Sequence, residues 1–175
     1  MPSSYIITFI GDDRPGLVEQ LSRVIEDNQG NWHESRLSQL GGKFAGLVLV
    51  SLPDANGEVL EGQLKALSAS GLSVRVTPAI EGFSFDVATH ITLTVIGPDR
   101  LGIVREIARA LAEHQVNVVE MDSEVTSAPM SGEMLFKARI DAEIPPSLAI
   151  DDLTDTLDDI ANQMTLDIEL EPAVL

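Results

Sequence analysis

The chain has 175 residues, 44% of them hydrophobic and only 4% aromatic, with 28 Asp+Glu against 11 Lys+Arg for a formal net charge of -17. Length and a mean hydropathy of +0.13 fit one large or two small folded domains and exclude the low-hydrophobicity signature of disorder. The acidic balance argues against direct nucleic-acid binding, which needs Lys and Arg to displace counterions, and the absence of Cys excludes disulfides, thiolate nucleophiles and Cys-based metal centres.

The apolar run after Met1-Pro2-Ser3-Ser4 stops at Ile10, too short for a signal sequence or a membrane span, so the sequence reads as cytoplasmic and free of membrane. Residues 4–10, rich in Ile, Tyr, Thr and Phe and closed by Gly11, predict a strand. Leu17, Val18, Leu21, Val24 and Ile25 then recur at helical spacing. Residues 31–40 and 43–52 flank Gly41-Gly42 and predict a hairpin; Leu60, Leu64 and Leu67 form a second helical stripe closed by Gly71, and residues 73–78 return as a strand.

Residues 77–88, with Pro78, Gly82, Phe83 and Phe85, read as a restrained joint whose two Phe pack on a domain. Strand 89–96, helix stripe Ile103, Val104, Ile107 and Leu111, strands 117–127 and 132–140, helix stripe Ile150, Leu153, Leu157 and Ile160, and strand 166–170 follow. Asp151, Asp152, Asp155, Asp158 and Asp159 are assigned to the solvated face of that last helix.

The two series are one series repeated. Ile7-Thr8-Phe9-Ile10-Gly11-Asp12-Asp13-Arg14-Pro15-Gly16-Leu17-Val18 lies without a gap on Leu93-Thr94-Val95-Ile96-Gly97-Pro98-Asp99-Arg100-Leu101-Gly102-Ile103-Val104. The register continues through Arg23 on Arg109, Gln29 on Gln115, Asn31 on Asn117 and Glu34 on Glu120. The order βαββαβ, twice, predicts an α+β chain of two ferredoxin-like sandwiches, each an antiparallel sheet with both helices on one face. Domains are expected at 1–80 and 89–175, with 81–88 as linker.

Each copy carries Gly, then Asp-Arg-x-Gly, between its first strand and helix. A helix N-terminus there offers free N–H groups and partial positive charge to a carboxylate. Asp13 and Asp99 suit the N-cap, and Asn31 and Asn117 are expected to return beside the same turn. Helix amides, a carboxylate and an Asn amide together complement a zwitterion such as a free amino acid. Capping Asp and turn Gly also occur in proteins without any ligand; duplication of the whole set favours a site.

Competing chemistries are weaker. Asp12-Asp13 lacks further oxygen ligands, and Pro98 breaks the pair in the second copy; His33, His90 and His114 lack metal-ligand spacing. No Gly-x-Ser-x-Gly elbow, P-loop or dinucleotide fingerprint is present. Glu34 and Arg36, two apart and so on one strand face, suit a cross-strand or interdomain charge contact. No cofactor, metal or catalytic residue is expected, and the chain is read as a non-enzyme.

Gly-Asp-Asp-Arg-Pro-Gly-Leu-Val, with Gly30-Asn31-Trp32-His33-Glu34-Ser35-Arg36-Leu37, resembles the ACT domain, a small-molecule-sensing module, over nearly the full chain. The tandem pair, with Leu40-Gly41-Gly42-Lys43-Phe44, is similar to the family of glycine cleavage system transcriptional repressors. The resemblance implies ligand contacts from Gly11, Asp12, Asp13, Pro15, Gly16, Leu17 and Asn31, often between domains. In the second copy it implies Asp99, Gly102 and Asn117, where Leu101 and Pro98 depart from the pattern and leave a purely structural turn open. It further implies a regulatory homo-oligomer that senses glycine and acts through a protein partner such as a transcription factor; the small Gly-lined turn would accommodate serine or alanine as well. The alternative is a ligand-free interaction module that assembles through its sheet edges.

Overall fold

The computed structural model describes residues 2–83 and 89–173, in two compact units, Met1–Phe83 and Ser84–Leu175. Residues 84–88, including Phe85 and most of the expected linker, lie outside the described residues; Phe83, expected to pack, is 62% exposed.

The first unit runs β1 (Pro2–Asp12), α1 (Leu17–Asp27), β2 (Asn31–Leu40), β3 (Lys43–Pro53), α2 (Gly57–Ala66) and β4 (Ser73–Pro78). Its sheet has the order β2-β3-β1-β4, every neighbouring pair antiparallel. Strand alternation sends Ile7, Phe9, Val48, Val50 and Leu52 to one face, where Leu17, Leu21 and Ile25 of α1 and Leu60 and Leu64 of α2 cover them. Each such burial stabilises by about 1.5–3 kcal/mol. Phe9 and Phe44 meet at 5.8 Å. The unit is the expected sandwich.

The second unit repeats it with β5 (Thr89–Pro98), α3 (Ile103–Glu113), β6 (Asn117–Ser127), β7 (Met134–Ile144), α4 (Ile150–Met164) and β8 (Asp167–Pro172), in the order β6-β7-β5-β8. β7 begins two residues later than expected and runs on to Ile144, because Gly132 takes φ 70 in the turn and Ala142 and Ile144 still alternate into the core. Val18, Val104 and Ile150, placed on the helical stripes from spacing, are exposed: Val18 and Val104 sit about 100° around the helix from buried Leu17 and Ile103, and Ile150 is the first residue of α4, ahead of the buried stripe that starts at Leu153. The five Asp of α4 are all exposed.

Helix ends repeat as faithfully as the motifs. Gln29 and Gln115 hold φ 60 and φ 56. The N–H of Gly30 donates to Ile25 at 2.9 Å and that of Val116 to Leu111 at 2.9 Å, closing Schellman caps. One residue earlier, Asn28 donates to Gln63 Oε1 at 2.7 Å and His114 Nε2 meets Thr156 Oγ1 at 2.9 Å, so the same position ties the two helices together in each unit.

Candidate functional site

At the end of β1 the chain turns through Asp13, Arg14 and Pro15 to Gly16, whose φ of 90 only glycine adopts without strain. Gly102 repeats this with φ 94. Both glycines are the N-caps of their helices, both face open space where a Cβ would stand, and no side chain caps either helix. The first helical bonds, Gln20 N–H to Gly16 O and Glu106 N–H to Gly102 O, are 2.9 Å each. The first-turn amides are therefore left without a side-chain acceptor at the positive end of the dipole.

Asp13 and Asp99 are not the N-caps expected of them. Three residues separate each from its helix, and their backbone N–H groups instead prolong the sheet ladder, to Gly42 O at 3.0 Å and to Met134 O at 2.8 Å. The Asp13 carboxylate accepts a hydrogen bond from Gln39 Nε2. Asp12 pairs with Lys43, whose hydrogen bond, and then charge, hold the Asp12 carboxyl below the usual carboxylate range. Arg14 donates to Gln20 Oε1 at 3.0 Å. Gln39, Gly42 and Lys43 thus belong to the turn's surroundings; only the register of β1 on β3, Asp12 opposite Lys43, reveals them.

Two of the expected contact residues have packing duties. Leu17 is 3% exposed within the core, so only its backbone can meet a ligand. A Cβ on Gly11 would stand 2.9 Å from Leu72 Cδ1 and 3.2 Å from Gly71 O, so glycine there serves the close approach of the segment entering β4. Pro15 is exposed at the turn.

Asn31 is not beside the turn. It lies opposite Ser51, which in turn pairs with Ser4, whereas Asp12 pairs with Lys43 at the other end of the sheet. At about 3.3 Å per residue the two rows are roughly 26 Å apart. Asn31 borders a different groove, of ≈560 Å³, with Gln29, Ser51 and Asp54. Asn117 is likewise distant from Asp99; it donates to Glu143 Oε2 at 3.1 Å, and Glu143 lies 3.9 Å from His90. The physical reason is topological: α1 and α3 each return the chain to the end of the sheet where β1 and β5 began.

Glu34 and Arg36, expected to make a cross-strand or interdomain contact, instead pair with each other at 3.0 Å along one strand, because residues two apart on a strand share a face. His33 Nε2 meets Ser51 Oγ at 2.7 Å. Among the described residues no three His, Asp or Glu converge as metal ligands, and no helix is long and apolar enough to cross a membrane.

Two βαββαβ units, each opening its first helix at an uncapped left-handed glycine, make this a tandem of two ferredoxin-like α+β sandwiches. Family models described as the ACT domain match residues 3–77 and 91–158, and the chain belongs to the ACT-domain family. That membership supports a regulatory, ligand-sensing role. A structure described as an unknown protein from Galdieria sulphuraria is 30% identical with a TM-score of 0.88, covering 99% of this chain and 100% of that one. A structure described as a "putative glycine cleavage system transcriptional repressor" shares the fold at 20% identity and TM-score 0.74, covering 100% of this chain and 99% of that one. No curated protein matches.

Proposed function

We propose that this chain is a non-enzymatic cytoplasmic regulator, with ACT domains at 1–80 and 89–175, that senses a small amino acid and passes its state to a protein partner such as a transcription factor. The observation that carries the reading is the pair of uncapped helix N-termini at Gly16 and Gly102, each open above its first-turn amides. These amides suit a carboxylate, and the Asp13 carboxylate suits an ammonium. A Gly-bordered turn admits glycine, serine or alanine. The resemblance to the glycine cleavage repressors, and the description of the full-length structural relative, favour glycine cleavage as the controlled process.

Because Asp13 and Asn31 occupy opposite ends of one sheet, a ligand touching both joins two copies of the unit. Amino-acid binding then goes with assembly of a homo-oligomer, and differential affinity for the assembled state supplies the signal.

The test is a thermal-shift screen of the full chain against the common amino acids, where a ligand at 100 times its dissociation constant adds about 2.7 kcal/mol to the native state. One amino acid is expected to give a selective shift. Asp13→Ala and Asn31→Ala should each weaken its binding by about 1–3 kcal/mol; unchanged affinity in both folded variants refutes the site. No shift with any amino acid favours the ligand-free interaction module.

A further inference from the structure

β6 differs from its counterpart β2 in a way the shared fold does not require. Both are outermost strands, and both pair in the same register after a bulge, between Val118 and Glu120 in β6 and between Trp32 and Glu34 in β2. On the helix side, β2 carries Trp32, Ser35, Leu37 and Gln39, of which Trp32 and Leu37 pack on the core, where β6 carries Val118, Met121, Ser123 and Val125. Met121 is 38% exposed and Val125 45%, and Val118 and Val104 of α3 extend the same apolar strip at 43% and 45%. A cleft of ≈30 Å³ opens between α3 and β6, lined by Val104, Leu111, Val118, Met121 and Phe136.

On the other side, β2 carries Glu34, Arg36 and Ser38 where β6 carries Glu120, Asp122 and Glu124. On β7, Arg139 stands opposite Asp122 and Lys137 opposite Glu124, while Glu120 stands opposite Asp141; among the described residues none of the three β6 carboxylates forms an ion pair within 4.0 Å, and Arg139 pairs with Asp141 instead. β8, the opposite edge, is also acidic at Asp167, Glu169 and Glu171, but its Ile168 and Leu170 are packed against the core and leave no apolar strip.

An open edge with one apolar side and one acidic side is complementary to a strand of alternating apolar and cationic residues. A second β6 is the wrong occupant: antiparallel self-pairing sets the three carboxylates of each strand against those of the other, and like charges opposite one another destabilise a sheet. We propose that β6 is a docking edge for an extended segment of a partner protein in which Lys or Arg alternates with small apolar residues. Its cations face Glu120, Asp122 and Glu124, and its apolar residues cover Val118, Met121 and Val125.

The proposal rests on the reading that the chain works through a protein partner and names that partner's chemistry. Its failure leaves the amino-acid thermal shift untouched, so the two stand or fall separately.

The probe is a short acetylated and amidated peptide of alternating Lys and Val, with a control of equal composition whose Lys are grouped in one block. Each is added to the full-length protein, and amide hydrogen exchange is followed by NMR. The alternating peptide should slow exchange within residues 120–127, with binding that weakens as salt rises. Glu120→Gln with Asp122→Asn and Glu124→Gln should weaken it at least about tenfold. Met121→Ser with Val125→Gln, which restores the side chains that β2 already carries in the same fold, should abolish the protection. Equal protection by the block peptide, protection elsewhere, unchanged affinity in the charge variant, or a peptide-free dimer that Met121→Ser dissolves would each overturn the proposal.

Discussion

Gly16→Ala and Gly62→Ala are the same substitution into similarly open surroundings, since beyond adjoining backbone no atom comes within 4 Å of where either Cβ would stand. Packing therefore contributes nothing to either, and the backbone alone decides the sign. Gly16 has φ 90, where an L side chain costs about 1–2 kcal/mol; restriction of the unfolded chain returns about 0.4–1 kcal/mol. The net expectation is a loss of about 1 kcal/mol. Gly62 lies inside α2, where Ala is favoured over Gly by about 0.5–1 kcal/mol. The assay is urea denaturation followed by fluorescence of Trp32, which packs against the first unit's core and is the chain's 1 Trp, so the second unit is silent. Gly16→Ala should lower the midpoint and Gly62→Ala raise it, at unchanged slope. Midpoints that move in the same direction, or a Gly16→Ala midpoint that does not move, would refute the claim that the turn demands left-handed backbone.

Gln29→Gly and Gln115→Gly should each stabilise their unit by up to about 1 kcal/mol, because each Gln occupies the left-handed cap position that glycine takes without strain; calorimetry of the two variants checks both. Lys43→Ala should return the Asp12 carboxyl to its ordinary titration, read by NMR. Asp12 has a depressed value in the folded state, so its contribution to stability is present above about pH 4 and lost as pH falls through the folded value. The stability difference between the wild type and Lys43→Ala should therefore shrink below about pH 4; a difference that instead grows with acid contradicts the pairing.

The fold was legible because its signals are local and doubled. Alternation in residues 4–10 and the stripe Leu17, Leu21, Ile25 identify a strand and a helix on their own, and the gapless match with residues 93–104 and beyond makes each reading an independent check on the other. Boundaries were less so: nothing in residues 132–144 marks how far pairing with β5 runs, since the last row is set from outside, by Thr89 opposite Ile144. Gln29 and Gln115 matched in the repeat for a reason visible only in the backbone, namely a shared left-handed cap.

The candidate site was legible at the turn and misread across the sheet. Gly, Asp and Gly at fixed spacing do mark a backbone that arrives, turns left-handed and starts a helix, although the capping residue is Gly16 rather than Asp13. Asn31 was placed beside that turn, yet the sandwich inferred from the same residues already contradicts this. With β3 antiparallel to both β1 and β2, these two strands are parallel, so β2 must start at the end where β1 starts. An 11-residue helix, α1, rises about 16 Å and carries the chain back along the sheet before β2 begins. No rearrangement of side chains closes a gap set by topology. Any amino acid that needs both Asp13 and Asn31 has to draw them from two copies of the chain, so its affinity should rise with protein concentration; one that binds a single copy equally well uses the turn without the Asn.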